Sequence, residues 1–161
     1  MKTMLKLATW EQRPIMMRLM QFYLYDFTEF IEIDLSADGT FPDYPDLDQY
    51  WTSGDRKMAF IMWYKGKPAG FALVDRLDDK LEGDYYMAEF FVMRPFRRYG
   101  IGSWAARELF SRLRGKWKVT QVKNNAPARA FWRKVIGEYT GGNFTEKIHP
   151  WKGSPSQYFS T

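Results

Sequence analysis

The sequence predicts a mixed α/β (α+β) fold whose sheet combines antiparallel with parallel strands. Two apolar runs, 57–64 and 68–76, flank a short turn at 65–67 and predict an antiparallel hairpin. A third apolar run, 87–93, leads into helical spacing and then into a further strand pattern at 117–123. Because a helical crossover joins these last two strands, we expect them to lie parallel.

The N-terminal region predicts a strand followed by a helix. Residues 4–9 form the strand pattern, and Thr9 and Gln12 have the spacing of a capping box. Proline is tolerated only in the first turn of a helix, so Pro14 places the start of the helix at residue 12 or 13. Apolar residues then keep helical spacing as far as Phe27.

The segment 34–55 has no periodicity, and we expect a loop there with one short helical turn. Residues 26–55 contain nine acidic residues and no Lys or Arg, whereas residues 94–152 contain fourteen basic residues and three acidic ones. Nine aromatic residues lie between Phe22 and Trp51. Acidic and aromatic side chains together can hold an ammonium group. A solvated acidic loop with aromatic residues in the core explains the same pattern equally well.

Composition excludes several kinds of chemistry. The chain has no cysteine, which excludes disulfides, thiolate metal sites and a cysteine acyl-enzyme. His149 is the single histidine, so a metal site built on a histidine pair is excluded, and we expect no metal. No apolar run approaches the roughly 18 residues of a membrane helix. We therefore expect a soluble cytoplasmic protein with one domain over residues 1–161.

A turn rich in glycine and arginine follows the apolar run 87–93. It fits the pattern R-x-x-G-x-G and consists of Arg97, Arg98, Tyr99, Gly100, Ile101 and Gly102. Helical spacing starts at Ile101, and the first turn of a helix leaves N–H groups without internal partners. Glycines let an anion approach that backbone, so the turn can bind a pyrophosphate. Taken alone, the short motif fits a tight turn with solvated arginines better. We refer to residues 97–103 as the elbow.

A second helix pattern lies near the C-terminus. It starts at Asn125, a favourable N-cap residue, and has Pro127 in its first turn. Apolar residues keep helical spacing until Gly137, which predicts the end of the helix. The stretch from Asn125 to Trp132 reads N-A-P-A-R-A-F-W. Residues 140–161 are punctuated by glycines and predict one or two closing strands.

Together these two stretches resemble the GNAT superfamily of N-acetyltransferases. Residues 92–102 match V-x-x-x-x-R-x-x-G-x-G of its acetyl-CoA-binding segment, and Asn125 opens a version of its N-x-x-A-x-x-F-Y stretch. The order and spacing of two independent motifs make the match specific. In that superfamily the strand backbone binds the pantetheine arm, and the amides after the arginine bind the diphosphate. The resemblance implies acetyl-CoA as co-substrate, contacted by Phe90, Phe91, Val92, Arg97, Arg98, Tyr99, Gly100, Ile101, Gly102, Ser103, Asn125 and Trp132.

The resemblance also implies an architecture and an acceptor. It implies a single GNAT-like domain over residues 1–161, with a central mixed, mostly antiparallel sheet of about six to seven strands and about four flanking helices. The sheet is expected to be splayed between strands 4 and 5. In the superfamily the region between the first two strands shapes the acceptor pocket, so we expect an amine-bearing small molecule or peptide. GNAT relatives often dimerise, which allows a homodimer here, although the sequence does not fix the oligomeric state. We expect no nucleic-acid or membrane partner.

Four positions bear on catalysis. Glu89 is the acid in the most apolar strand, and burial without a partner would suit a general base; alternatively, it points out of the cleft or pairs with an arginine. The superfamily's tyrosine near the coenzyme sulfur is replaced by Trp132, whose indole cannot deliver a proton at neutral pH. Tyr139, expected just past the helix, is a substitute acid or a structural tyrosine. Thr120 stands where relatives that acetylate protein N-termini often carry a glutamate.

The leading prediction is transfer of an acetyl group from acetyl-CoA to a primary amine. Because no cysteine is available to form an acyl-enzyme, we expect direct attack in a ternary complex. One alternative is a non-catalytic acyl-CoA-binding module, in which Trp132 marks lost chemistry. Another is a nucleic-acid binder that uses the arginine-rich segment, but no RNA-binding motif accompanies that segment.

Overall fold

The computed structural model of the protein describes residues 2–161. Its strands are β1 (Thr3–Leu7), β2 (Lys57–Tyr64), β3 (Lys67–Arg76), β4 (Tyr85–Val92), β5 (Lys116–Thr120), β6 (Thr145–Ile148) and β7 (Pro155–Ser160). Its helices are α1 (Arg13–Phe27), α2 (Gln49–Thr52), α3 (Ile101–Arg112) and α4 (Ala126–Thr140). Two 3-10 segments, Trp10–Gln12 and Arg94–Tyr99, precede α1 and α3. In the described part of the chain, no helix is long and apolar enough to cross a membrane.

The strands form one seven-stranded mixed sheet in the order β1-β2-β3-β4-β5-β7-β6. The β1–β2, β5–β7 and β6–β7 pairs are antiparallel, and β4–β5 is parallel. The predicted mixed fold and the predicted parallel pair are therefore confirmed. The β4–β5 ladder joins only Tyr85 to Trp117 and Tyr86 to Lys118, although β4 has eight residues. The ladder is thus confined to one end of β4.

The chain divides into two compact units. The first comprises the chain up to Leu73 together with Glu89–Gly102, and the second comprises Val74–Ala88 and Ser103–Thr161. In the first unit, the core is built from α1, β2 and β3. Gly70 has no room for a side chain, because a Cβ there would collide with the Phe91 carbonyl oxygen. This close approach sets β3 tightly against the second half of β4.

The second unit has an aromatic core. Phe110 of α3 contacts Trp117 of β5 and Phe159 of β7 edge-on, with ring centroids 5.1 and 4.8 Å away. Trp132 of α4 lies 6.4 Å from Phe110. All four side chains are buried. Edge-to-face contacts of this kind fix the rings relative to one another as well as removing them from water.

Local signals placed most helix ends correctly. The N–H of Thr9 donates to the Gln12 side chain at 2.9 Å, as the capping box predicts, and α1 begins at Arg13. Asn125 caps α4 by accepting from the N–H of Ala128 at 3.1 Å. The short turn expected in the acidic loop is α2.

The predicted C-terminal end of α4 was wrong. The helix runs through Gly137 and ends at Thr140, and Gly141 caps it in the left-handed conformation with φ 64°. The N–H of Gly141 donates to the Gly137 carbonyl, so Gly137 supplies an acceptor to the C-terminal cap. Tyr139 therefore lies within α4 and not past it. The strand β4 is also less evenly buried than predicted: Tyr85, Met87 and Phe91 are buried, and the other five residues are half-buried.

Candidate functional site

The elbow follows β4 through a compact connection. The N–H of Met93 donates to the Ala69 carbonyl at 2.7 Å, which ties the end of β4 to β3. Pro95 lies in the first turn of the 3-10 segment, where a missing N–H costs no hydrogen bond. Gly100 then takes the left-handed conformation, with φ 70°, and α3 begins at Ile101. A side chain at position 100 would strain this turn, which explains the glycine there.

The start of α3 is open to a ligand. A Cβ placed on Gly100 would meet no atom within 4 Å, so the space beside it is free of protein. Ile101 is 1% exposed and fixes the first turn in the core. Within residues 2–161, no hydrogen bond outside helices uses the N–H of Gly100, Ile101, Gly102 or Ser103. Such N–H groups at a helix start attract an anion.

The two arginines of the elbow have different surroundings. Arg97 donates from Nε to the Val92 carbonyl at 2.9 Å and from Nη2 to Asp26 Oδ2 at 2.7 Å. Arg98 is exposed and has no ion pair or side-chain hydrogen bond among the described residues. Arg97 is therefore held by the protein, whereas the charge of Arg98 is available to an anion. Tyr99 is exposed and stacks on Tyr64 with ring centroids 5.1 Å apart.

Glu89 lies on the same face of β4 as Met87 and Phe91, since side chains alternate along a strand. Its carboxylate Oε2 accepts a hydrogen bond from the hydroxyl of Tyr23 at 2.6 Å. The hydroxyl of Tyr44 lies 3.4 Å from Oε1, which is long for a bond between oxygens. The Glu89 side chain is half-buried, and both hydroxyl groups belong to residues of the first unit. Both of these hydroxyl groups are neutral, so they support the carboxylate without adding a formal charge.

Tyr23 is held by aromatic neighbours. Its ring lies 5.5 Å from Phe27, 5.5 Å from Phe71 and 5.4 Å from Phe91, measured between centroids. These contacts fix the direction in which the hydroxyl points. The sequence alone did not mark Tyr23 as a site residue, because its position has the spacing of the apolar face of α1. The available signal was that a tyrosine on a buried face needs a partner for its hydroxyl.

Three predicted site residues lie in α4 or at its start, in the second unit. The side chain of Asn125 is used as the helix cap. Trp132 is 5% exposed and packs edge-on against Phe131 with centroids 5.0 Å apart. The Tyr139 hydroxyl shares a hydrogen bond with Ser111 Oγ at 3.1 Å. Its ring contacts Phe110, so Tyr139 has both a polar and a packing partner.

The second unit also contains an ionic cluster that sequence analysis missed. Glu146 of β6 accepts hydrogen bonds from Arg129 and Arg133 at 2.5 Å and from Gln157 at 2.8 Å. Gln157 is fully buried and is paired with Gln121. The hydrogen bond from Arg133, helped by Arg129, outweighs desolvation and lowers the pKa of Glu146 to about 2. Among residues 2–161, no cluster of three or more His, Cys, Asp or Glu could hold a metal ion.

Comparisons with known proteins identify the family and the fold. A family model described as the acetyltransferase (GNAT) family matches residues 20–137, which is well over half of the chain. Among curated protein sequences, no relative matches. An acetyltransferase from Thermus thermophilus superimposes with a TM-score of 0.71 at 16% identity, covering 100% of this chain and 98% of that one.

Two further solved structures share the fold. Arabidopsis thaliana Naa50, in complex with the bisubstrate analogue CoA-Ac-MVNAL, has a TM-score of 0.65 at 12% identity and full coverage of both chains. A mutant of the spermidine N-acetyltransferase SpeG from Vibrio cholerae has a TM-score of 0.60 at 9% identity, covering 99% of this chain and 94% of that one. At sequence identities this low, the structural similarities show only that the fold is shared. The family model carries the assignment: the chain belongs to the acetyltransferase (GNAT) family.

Proposed function

We propose that this protein transfers the acetyl group of acetyl-CoA to a primary amine of a small molecule or peptide, by direct attack in a ternary complex. The observation that carries the proposal is the elbow, where a left-handed glycine opens onto the unpaired start of α3. This geometry suits a diphosphate, because the backbone supplies N–H donors and partial positive charge at one point. Family membership makes coenzyme A the expected carrier of that diphosphate.

The residues present fit the coenzyme. Phosphate oxygens would be held by the N–H groups from Gly100 to Ser103, with Arg98 adding an exposed positive charge. The backbone of Phe90, Phe91 and Val92 would bind the pantetheine arm. When bound, acetyl-CoA supplies an acetyl thioester, whose carbonyl carbon bonds to the amine nitrogen while the bond to sulfur breaks.

The side chain proposed as the base is Glu89. A lysine-like amine, with a pKa of about 10.4, is mostly protonated at neutral pH and must lose a proton before it can attack. Glu89 would accept that proton, with its carboxylate oriented by the Tyr23 hydroxyl. A backbone N–H of β4 would donate to the thioester oxygen as negative charge develops there.

The departing thiolate needs little assistance from a general acid. A thiol with a pKa of about 8.5 leaves far more readily than an alkoxide or an amide nitrogen. Trp132 cannot deliver a proton to it, and Tyr139 is the candidate acid that the sequence offers. The hydrogen bond between Tyr139 and Ser111 gives that hydroxyl a polar neighbour but no charged one.

The charge of segment 26–55 and the names of similar solved structures both support a primary amine as the acceptor. The acidic, aromatic segment 26–55 suits a cationic amine. The neighbours' names include a peptide-based bisubstrate analogue and spermidine, and both kinds of acceptor present amines. A cytoplasmic location and a homodimer stay predictions of the sequence.

The test is release of CoA thiol from acetyl-CoA across a panel of polyamines, amino acids, aminoglycosides and peptides. We expect at least one amine to give thiol release well above hydrolysis, with an acetylated product of matching mass. Acetyl-CoA binding without turnover on any amine would instead support the non-catalytic acyl-CoA-binding module. A covalent acetyl-enzyme formed during turnover would contradict direct attack.

A further inference from the structure

We propose that Asp26 is a positioning residue for the coenzyme-binding elbow, acting through Arg97. The inference rests on the proposed function, since it assigns a residue of α1 to coenzyme binding. Nothing in the local sequence of α1 marks Asp26 for this role, because it lies 71 residues before Arg97.

Asp26 holds two arginines at once. Its Oδ1 accepts from Arg94 at 2.9 Å and its Oδ2 from Arg97 at 2.7 Å. These arginines lie at the start and in the second half of the 3-10 segment that leads to Gly100. One carboxylate at the end of α1 thus fixes the segment at two points.

Arg97 also connects the 3-10 segment to β4. Its Nε donates to the carbonyl of Val92, the last residue of β4, at 2.9 Å. Its guanidinium also lies 5.7 Å from the ring centre of Phe91. The guanidinium fork therefore joins Asp26 to the end of β4. If Asp26 were absent, the fork would lose one of these anchors, and the path from β4 to Gly100 would be less defined.

The Arg97 interaction should dominate over the Arg94 interaction. The Asp26 side chain is 28% exposed and that of Arg97 is 40% exposed, whereas that of Arg94 is 74% exposed. Solvent screens an exposed ion pair strongly. Burial alone would raise the pKa of Asp26, but the hydrogen bonds and charges of Arg97 and Arg94 hold it below its ordinary value. Asp26 is therefore a fixed anion at neutral pH.

A positioning role and a purely electrostatic role predict opposite signs. Coenzyme A is a polyanion, so removing a nearby negative charge without other change would tighten its binding. Loss of the anchor on Arg97 would instead misplace the elbow and weaken binding. The direction of the change in affinity therefore separates the two roles.

The experiment measures the binding of coenzyme A by calorimetry, with no turnover required, for the wild type and for Asp26→Ala. We expect the Kd to rise about tenfold in the variant, the loss typical of a hydrogen bond to a charged group. The matched control is Asp48→Ala, which removes another carboxylate from the first unit and breaks an exposed pair with Arg13. Its Kd should stay within about twofold of the wild-type value.

A second variant keeps the test independent of the stability of Asp26→Ala. Arg97→Lys preserves the positive charge, but a single ammonium cannot reproduce the fork that spans Asp26 and Val92. Weaker coenzyme binding in Arg97→Lys supports the inference, and unchanged binding overturns it. Tighter or unchanged binding in Asp26→Ala also overturns it. If the wild type itself binds no coenzyme A, the proposed function fails together with the inference.

Discussion

Two glutamates, one in each unit of the chain, show how surroundings decide what a carboxylate can do. Glu146 lies on β6 among two guanidinium groups and a buried glutamine, and its pKa is lowered to about 2. Glu89 lies on β4, and its nearest described donor is the neutral hydroxyl of Tyr23. A carboxylate that is held by arginines stays ionised and is a poor proton acceptor.

Burial alone does not determine the chemistry of a carboxylate. Both glutamates lie on strands, and both make short hydrogen bonds. Two of the donors to Glu146 are guanidinium groups, whereas the short hydrogen bond to Glu89 comes from a hydroxyl. Glu146 ties α4 to β6 as an anion, whereas Glu89 is the carboxylate that we propose as the base. Four substitutions test this contrast. They compare the region that contains Glu89 and the elbow with the region that contains Glu146.

A large loss of coenzyme binding is expected from a substitution at the elbow. Gly100→Glu should weaken coenzyme A binding by about 100-fold or more, because it fills the open space beside α3 and adds negative charge facing the phosphates. Gly141→Glu is a matched control: Gly141 also has positive φ, at 64°, and also faces open space. Both variants carry the same backbone strain, so calorimetry should find lost binding only for Gly100→Glu. Equal affinities in the two variants would contradict our placement of the phosphates.

Glu89→Gln should abolish most of the turnover without changing coenzyme binding. Removing a general base typically costs about 10²- to 10⁴-fold in rate. The measurement is kcat at saturating acetyl-CoA and amine, with the Kd for coenzyme A as the control. Glu146→Gln should leave kcat nearly unchanged, since that carboxylate lies in a structural cluster. A similar fall in kcat for both variants would remove the distinction between the two glutamates.

Glu146→Gln should reduce the free energy of unfolding by about 1 to 3 kcal/mol, because Arg129 and Arg133 lose their charged partner. The pKa of Glu146 is about 2 in the folded protein and 4.5 ordinarily. Its contribution is therefore complete above the ordinary value and is lost as the pH falls toward 2. Thermal unfolding should show a gap in Tm between wild type and variant at pH 7 that narrows at low pH. A gap that is independent of pH would contradict this origin.

Tyr23→Phe should lower kcat by about tenfold, because Glu89 loses the donor that orients it and favours its ionised form. The acidic limb of the pH–rate profile should shift to higher pH, a change that a packing defect would not cause. Tyr25→Phe is the control, since Tyr25 lies on the same helix and is exposed. Coincident profiles for wild type and Tyr23→Phe would show that the hydroxyl does not act through Glu89.

Local patterns predicted the helix starts and the elbow well. The capping box at Thr9, the N-cap at Asn125 and the left-handed Gly100 each depend on residues within one helical turn. The end of α4 was misplaced because Gly137 has the character of a helix stop in the sequence. The helix continues through Gly137 and is capped by Gly141, which has positive φ.

Local sequence was enough to predict β4, the turn at the elbow and the start of α3, because glycine freedom, helix-start chemistry and apolar spacing act over a few residues. It also excluded cysteine chemistry through composition. Which distant side chains meet became known from the folded chain. Tyr23 reaches Glu89 across 66 residues, and Asp26 reaches Arg97 across 71. Such pairs depend on how α1 packs against β4, and no local pattern of residue types encodes that packing.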